Sequence, residues 1–175
     1  MDFQKFLKAI SASSRLNYYE GNGGVQYIGD SHSIYAIDGL PPLDEKAVSV
    51  MAGKEICFDK FDVPPTKFDL IDTDIPLNRF TRTHSINGYC AMYAGKDIVF
   101  VNDKYLKPFE TEQGINLYLR KENNKRYIII MGGMFFLGVT NECRFTSDVI
   151  DELGCIYEML SCGNVMIVKM NESER

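Results

Sequence analysis

The sequence contains no tryptophan, two histidines and no pair of cysteines at metal-ligand or redox spacing. No apolar run approaches the ~18 residues of a membrane-spanning helix, so we expect no membrane partner. Charges interrupt the apolar pattern of the first ten residues, so we expect no signal peptide. The net charge of −5 excludes a globally basic surface for nucleic acid but is compatible with a local basic patch.

The cysteines are five in number and scattered through apolar sequence. An odd number without paired spacing predicts reduced, mostly buried thiols in a cytoplasmic protein, with no structural zinc. Their positions are Cys57, Cys90, Cys143, Cys155 and Cys162.

Residues that could carry catalysis are few. His32 and His84 each lie between hydroxyl residues, but neither neighbouring serine falls in a Gly-x-Ser-x-Gly elbow. Asp69, Asp72 and Asp74 could offer oxygen ligands to Mg²⁺ or Ca²⁺, yet the segment lacks the glycine and glutamate of a calcium-binding loop. We therefore expect polar turns at both histidines, a solvated acidic loop, and no catalytic residue, metal or cofactor. A hydrolase centred on either histidine together with the acidic loop over residues 69–74 remains a third interpretation, without a substrate.

The first forty residues predict a helix followed by three strands. Apolar residues recur at helical spacing over 2–11, with lysines on the opposite side. Short β-type runs follow at 16–20, 25–29 and 32–37, separated by turn residues. The glycine-rich turn at 21–24 resembles a phosphate loop only in composition, because no Lys-Ser/Thr pair and no helix follow it.

Residues 97–140 predict a strand, a short helix and three further strands. Asn102 is a candidate N-cap for a helix over 103–110, which a proline shortens or distorts. The glycine pair at 132 and 133 supplies the positive φ of a tight hairpin, so strands 127–131 and 134–140 should pair. These strands, rich in aliphatic and aromatic residues, predict the core sheet.

The remaining segments are less regular. Residues 44–51 predict either a short helix or an irregular crossing, and 88–93 predict a strand that pairs with the one beginning at residue 97. A C-terminal helix begins at Thr146 or Ser147, and an apolar strand follows at 164–170. The predicted organisation is therefore an α+β domain over 1–140, with a helix-strand extension over 141–175 packed on it.

Basic residues occur on or just after the first predicted helix and on the helix predicted over 103–110. They are either ordinary solvated side chains or a track for phosphates, since lysines on helices can neutralise a passing nucleic-acid backbone without reading its sequence. The candidates are Lys5, Lys8, Arg15, Lys104 and Lys107.

A helix followed by a three-stranded meander, twice over, resembles one domain of the DNA polymerase sliding clamp family. The local resemblance lies in residues 33–39, which end in an Asp-Gly turn, in 102–106, similar to the start of the second clamp helix, and in 127–139, similar to the closing strands. It covers residues 2–140. The chain departs from the family in having one such domain instead of six, no leading strand in the first unit, and an extension without a clamp counterpart. We hypothesise that strand 164–170 fills the vacant position.

The resemblance implies an α+β fold of two helix-plus-three-stranded antiparallel meander units in one clamp-like domain. It implies a non-catalytic binding protein of DNA metabolism, derived from a phage or mobile element. Double-stranded DNA and replication proteins are the implied partners, and a homo-oligomer is left open. The alternative is a protein–protein interaction module of the same architecture that does not bind DNA.

Overall fold

The computed structural model describes residues 1–10, 12–79, 88–94 and 97–146, together with Val149, Leu153 and Cys155. This part of the chain combines the α-helices Phe3–Ile10 and Glu45–Ala52 with a large sheet, and the α+β class predicted from the sequence is confirmed. The three single residues are helical, within the predicted C-terminal helix. The rest of that helix, His84 and strand 164–170, with the hypothesis about its pairing, lie outside the described residues.

The first unit follows the predicted order of one helix and three antiparallel strands. Helix α1 (Phe3–Ile10) is amphipathic and buries its apolar side, which includes Phe6. Strands β1 (Arg15–Glu20), β2 (Gln26–Gly29) and β3 (Ser33–Ile37) then form a meander.

Residues 44–51, for which two interpretations were open, begin a second α-helix. Helix α2 (Glu45–Ala52) starts at Asp44, whose side chain accepts a hydrogen bond from the Ala47 amide at 2.7 Å. It ends at Gly53, which adopts the left-handed conformation that favours glycine at this position. Strand β4 (Cys57–Lys60) follows and pairs parallel with β1 at one edge of the large sheet.

A small second sheet lies in the middle of the chain. Strand β5 (Ile75–Pro76) pairs with the far edge of the large sheet. Strands β6 (Asn78–Arg79), β7 (Tyr89–Ala94) and β8 (Asp97–Asn102) form the three-stranded small sheet. The predicted strands at 88–93 and 97–101 are thereby confirmed.

The short helix predicted over 103–110 is wrong in type. Two successive 3₁₀ turns occupy this segment, with hydrogen bonds from Leu106 to Asp103 and from Phe109 to Leu106. Pro108 explains the difference, because it has no amide hydrogen for the α-helical bond four residues back and its ring would clash with that carbonyl. The predicted cap is confirmed, since the Asn102 side chain accepts from the Lys104 amide at 3.1 Å.

Three long strands complete the large sheet. Strand β9 (Ile115–Glu122) turns into β10 (Lys125–Gly132) through two asparagines that both have positive φ. Strand β11 (Phe135–Asn141) follows a turn one residue later than predicted, because Gly132 still pairs with Phe135 and Gly133 takes the left-handed position.

The large sheet combines the N-terminal strands β1 to β3 with the last three strands, β9 to β11. Its strand order is β4-β1-β2-β3-β11-β10-β9-β5, so β3 and β11 are antiparallel neighbours in the middle. One face packs against α1, α2, the 3₁₀ turns and the small sheet. The other face carries a second apolar cluster, against which Phe68 packs. Ile128, Ile129 and Ile130 of β10 are fully buried, as expected for a core strand.

Two properties of the described residues bear on the composition arguments. No described helix is long and apolar enough to cross a membrane. The prediction of mostly buried cysteines is wrong for this part of the chain, where Cys57 and Cys155 are exposed and Cys90 and Cys143 are half-buried. Cys57 is exposed because it lies on an edge strand.

Candidate functional site

A cleft of about 650 Å³ opens where the start of β10 and the end of β11 meet the open end of the small sheet. The β2–β3 turn, the first 3₁₀ turn and the segment that follows β11 also line this cleft. We call it the basic cleft. Its lining residues are His32, Tyr89, Asn102, Lys104, Tyr105, Lys125, Arg126, Asn141, Glu142, Cys143, Arg144 and Phe145.

The segment after β11 builds one wall of the cleft by crossing from the large sheet to the small one. The Asn141 amide donates to the His32 carbonyl at 2.8 Å, and the Cys143 amide donates to the Phe100 carbonyl of β8 at 2.8 Å. Arg144 then reaches back over the β9–β10 turn, where its guanidinium donates to the Asn124 carbonyl at 2.7 Å. The wall is thus fixed to both sheets by main-chain groups.

Charge in the cleft is strongly unbalanced towards positive. Among the residues that the structure describes, four cationic side chains line it, against one carboxylate, that of Glu142. Arg126 lies 3.1 Å from that carboxylate, and the ion pair neutralises part of the positive charge. Lys125 and Arg144 are exposed, and Lys104 is half-buried with its ammonium 4.4 Å from the ring centre of Tyr105. The cleft is therefore a local basic patch on a protein whose net charge is −5.

Aromatic rings form the apolar part of the lining. The exposed His32 imidazole stacks on Tyr105, with ring centres 6.2 Å apart and planes 12° apart. Phe145 meets Tyr89 edge to face at 5.0 Å and Phe100 at 5.5 Å. These contacts hold the rings in fixed orientations at the cleft wall.

The predicted cations on α1 and the 3₁₀ turns are partly neutralised. Lys5 donates to Glu110 at 3.0 Å and lies 3.9 Å from Asp2. The hydrogen bond that Lys5 donates to Glu110 raises the pKa of Lys5. Lys107 lies 3.6 Å from Asp103, one helical turn away.

The five predicted cations do not form one surface. Arg15 lies beside β4, where its guanidinium holds Asp59 with two contacts, at 3.1 and 2.6 Å. This hydrogen bonding lowers the pKa of Asp59. Lys8 is exposed on α1. Of the predicted set, Lys104 alone lines the basic cleft. Whether any of the five contacts DNA stays a prediction.

The sequence interpretation missed three of the four cations that line the cleft in the described part of the chain. Lys125 and Arg126 stand in a polar stretch that reads as a strand separator, and Arg144 follows the last predicted strand. The concentration of Lys and Arg around the β9–β10 turn was the available signal. Its link with Arg144 depends on contacts between sheets, which no local pattern contains.

The prediction that the acidic segment is a fully solvated loop is wrong, because the carboxylate of Asp74 is buried against Arg120. The guanidinium makes two contacts with Asp74, at 2.8 and 2.6 Å, and both side chains are almost completely buried. Arg120 also donates to Thr66 at 3.1 Å and to the carbonyls of Asp69 and Lys67. The Asp74 carboxylate is thus part of a structural ion pair; Asp69 and Asp72 are exposed.

A hydroxyl and an imidazole do meet at the cleft rim. The Ser31 hydroxyl lies 2.9 Å from Nδ1 of His32. A nucleophile–base pair requires a third group that orients the base. The adjacent carboxylate, Asp30, instead accepts from the amides of His32 and Ser33, both at 2.8 Å. The Ser31–His32 contact therefore lies within a turn that the Asp30 carboxylate holds in place.

Neither models of protein families, nor curated proteins, nor solved structures match this chain.

Proposed function

We propose that this protein is a non-catalytic nucleic-acid-binding protein of DNA metabolism and that the basic cleft is its binding surface. The observation that carries the proposal is that, in the described part of the chain, four cations and one carboxylate line a cleft of an otherwise acidic molecule. A concave site lined by one sign of charge focuses the electrostatic field and concentrates an oppositely charged ligand. Phosphates of a nucleic-acid backbone supply that charge at regular spacing.

The two exposed cations of the cleft are placed to bind phosphates. Lys125 begins β10, and the Arg144 guanidinium donates to the carbonyl of Asn124, the residue before it. Lys104 adds a third charge from the 3₁₀ turn that follows β8. Contacts of this kind position a nucleic acid without reading its sequence. Arg126 supports the site through Glu142.

The resemblance to a sliding-clamp domain, with a phage or mobile-element origin and replication proteins as partners, belongs to the same proposal. The meander of the first unit and its antiparallel joining to β11 support it. The 3₁₀ turns in place of the second helix, and the carboxylates beside Lys5, Arg15 and Lys107, are departures from it. We therefore place the nucleic acid in the basic cleft and not along α1.

Charge reversal in the cleft tests the proposal. We expect Lys125→Glu/Arg144→Glu to weaken binding of labelled oligonucleotides by at least about tenfold at low salt, because two phosphate contacts become repulsive. Fluorescence anisotropy titration measures the effect.

The matched control is Lys46→Glu/Lys60→Glu, which changes the net charge equally at exposed positions that do not line the cleft. Equal weakening in both variants, or no binding of wild-type protein at tens of micromolar, would contradict the proposal.

A second candidate function is a protein–protein interaction module. The turn between β10 and β11 favours it, because Met134 is 93% exposed and Phe135 is 77% exposed at the tip. Large apolar side chains exposed together commonly mark a contact surface. This candidate requires that Met134→Ser/Phe135→Ser abolish capture of a partner that the cleft variant still binds.

A further inference from the structure

We infer that the ligand of the basic cleft is single-stranded nucleic acid and not a duplex. The inference rests on the proposed function and goes further by naming the form of the ligand. It is carried by the size of the cleft, by a second concavity that adjoins it, and by the rings at their common rim.

The size of the cleft fits one strand. Its volume of about 650 Å³ lies within the range of about 300–1,000 Å³ that is usual for small-molecule sites. A few nucleotides of a single strand fit in such a space. A duplex, whose major groove alone is about 12 Å wide, can only rest on the rim.

A second concavity of about 110 Å³ continues from the cleft around the β2–β3 turn. His32, Lys125 and Asn141 line both spaces and form the ridge between them. The second space also has apolar walls, from residues that include Tyr127 and Pro65. A ligand that occupies both must bend over the ridge. A single strand can do so, whereas a duplex is stiff, with a persistence length of about 50 nm.

The ridge offers both kinds of contact that single strands use. Lys125 can pair with phosphate, and the exposed His32 ring presents a planar face to a base. The His32 ring stacks on the Tyr105 ring, and the Lys104 ammonium lies over the Tyr105 ring. The Tyr105 ring is itself buried, and its hydroxyl donates to Asp30 at 3.5 Å. Basic grooves with aromatic platforms bind single strands largely without sequence preference.

The test compares single-stranded DNA, single-stranded RNA and duplex DNA of the same sequence by anisotropy titration of the full chain. We expect either single strand to bind at least about tenfold more tightly than the duplex. Three phosphate contacts, from Lys104, Lys125 and Arg144, predict a slope of about −2 for log K against log salt with single strands.

His32→Ala separates stacking from charge. We expect it to weaken single-strand binding about five- to a hundredfold, the usual effect of losing one stacking platform. The matched control is Phe135→Ala, which removes an exposed ring at the opposite end of β10 and β11 and should change affinity less than twofold.

The three possible negative results distinguish failure of this inference from failure of the proposed function. Duplex binding as tight as single-strand binding overturns this inference and leaves the proposed function in place. An affinity for single strands unchanged by His32→Ala also overturns it. Absence of binding to all three nucleic acids overturns the inference together with the proposed function.

Discussion

Arg120 carries its charge to the interior of the protein, where its side chain has no exposed surface. A guanidinium has five N–H donors. Here Nε donates to Asp74, Nη1 to Thr66 and the Lys67 carbonyl, and Nη2 to Asp74 and the Asp69 carbonyl. Such full pairing is what permits a buried cation, since a charge without partners is costly to bury. The ion pair fixes the acidic segment, which contains Asp74, to strand β9 of the large sheet.

Removal of the carboxylate should therefore destabilise the protein severely. We expect Asp74→Ala to lower the free energy of unfolding by about 3–5 kcal/mol, because it leaves the arginine charge buried without compensation. Urea denaturation followed by circular dichroism measures this.

The control for that change lies two residues away. Asp72 is exposed, and Asp72→Ala should cost less than about 0.5 kcal/mol. The double variant Arg120→Met/Asp74→Leu should recover most of the loss, because it removes both charges. A loss for Asp74→Ala no larger than that for Asp72→Ala would show that the pair contributes little.

At the scale of elements, α2 protects the edge of the large sheet. Glu45 accepts a hydrogen bond from the Phe58 amide at 2.6 Å. Ser49 accepts from the Ile56 amide at 2.8 Å and donates to the carbonyl of the same residue at 3.3 Å. Side chains of the helix thus occupy main-chain groups that a strand of another molecule would need for pairing.

Removing one of these side chains should promote self-association. We expect Glu45→Ala to increase the weight-average mass in light scattering as protein concentration rises, because the Phe58 amide becomes available to a second chain. Lys46→Ala, an exposed change at the next position of the same helix, should leave the mass unchanged. A Glu45→Ala protein with the same mass as wild type across the concentration series would count against a protective role.

The far edge is protected differently. β5 covers only part of β9, and Pro76 within it has no amide hydrogen to offer. The Leu77 amide donates to the Leu117 carbonyl at 2.8 Å and extends the cover by one residue. Both edges of the large sheet are therefore partly closed by segments of the same chain.

For the whole molecule, two tyrosines tie the N-terminal strands to the 3₁₀ turns. The Tyr35 hydroxyl donates to the Tyr105 carbonyl at 3.1 Å, and the Tyr105 hydroxyl donates to Asp30 at 3.5 Å. Burial raises the pKa of both phenols. Since the folded pKa lies above the unfolded value of about 10, their contribution is complete below pH 10 and is lost as pH rises beyond it.

Stability should therefore fall in alkaline solution. We expect the free energy of unfolding to decline above about pH 10. Tyr35→Phe should lose about 1 kcal/mol at neutral pH, for one hydrogen bond, and decline less steeply above pH 10. Urea titrations at several pH values measure both effects. Tyr118→Phe, on the other face of the sheet, should keep the wild-type pH profile; a Tyr35→Phe profile as steep as wild type would contradict the assignment.

The sequence predicted what local spacing controls. The helix and meander of the first unit follow from apolar periodicity and turn residues, and the distortion around Pro108 follows from proline geometry. The pairing of Arg120 with Asp74, and the meeting of His32 with Lys125 in one cleft, join residues far apart in sequence. Such contacts depend on strand order, which a single sequence leaves open.

The central position of β3 beside β11 has a consequence for synthesis. About 100 residues separate the end of β3 from the end of β11, and at roughly 5–20 residues per second the ribosome needs about 5–20 s to make them. Throughout that interval the edge of β3 that later pairs with β11 has no partner strand in the nascent N-terminal meander. Because an unpaired strand edge makes a partly folded chain prone to aggregation, we expect nascent chains of this protein to depend on chaperones until β11 is made.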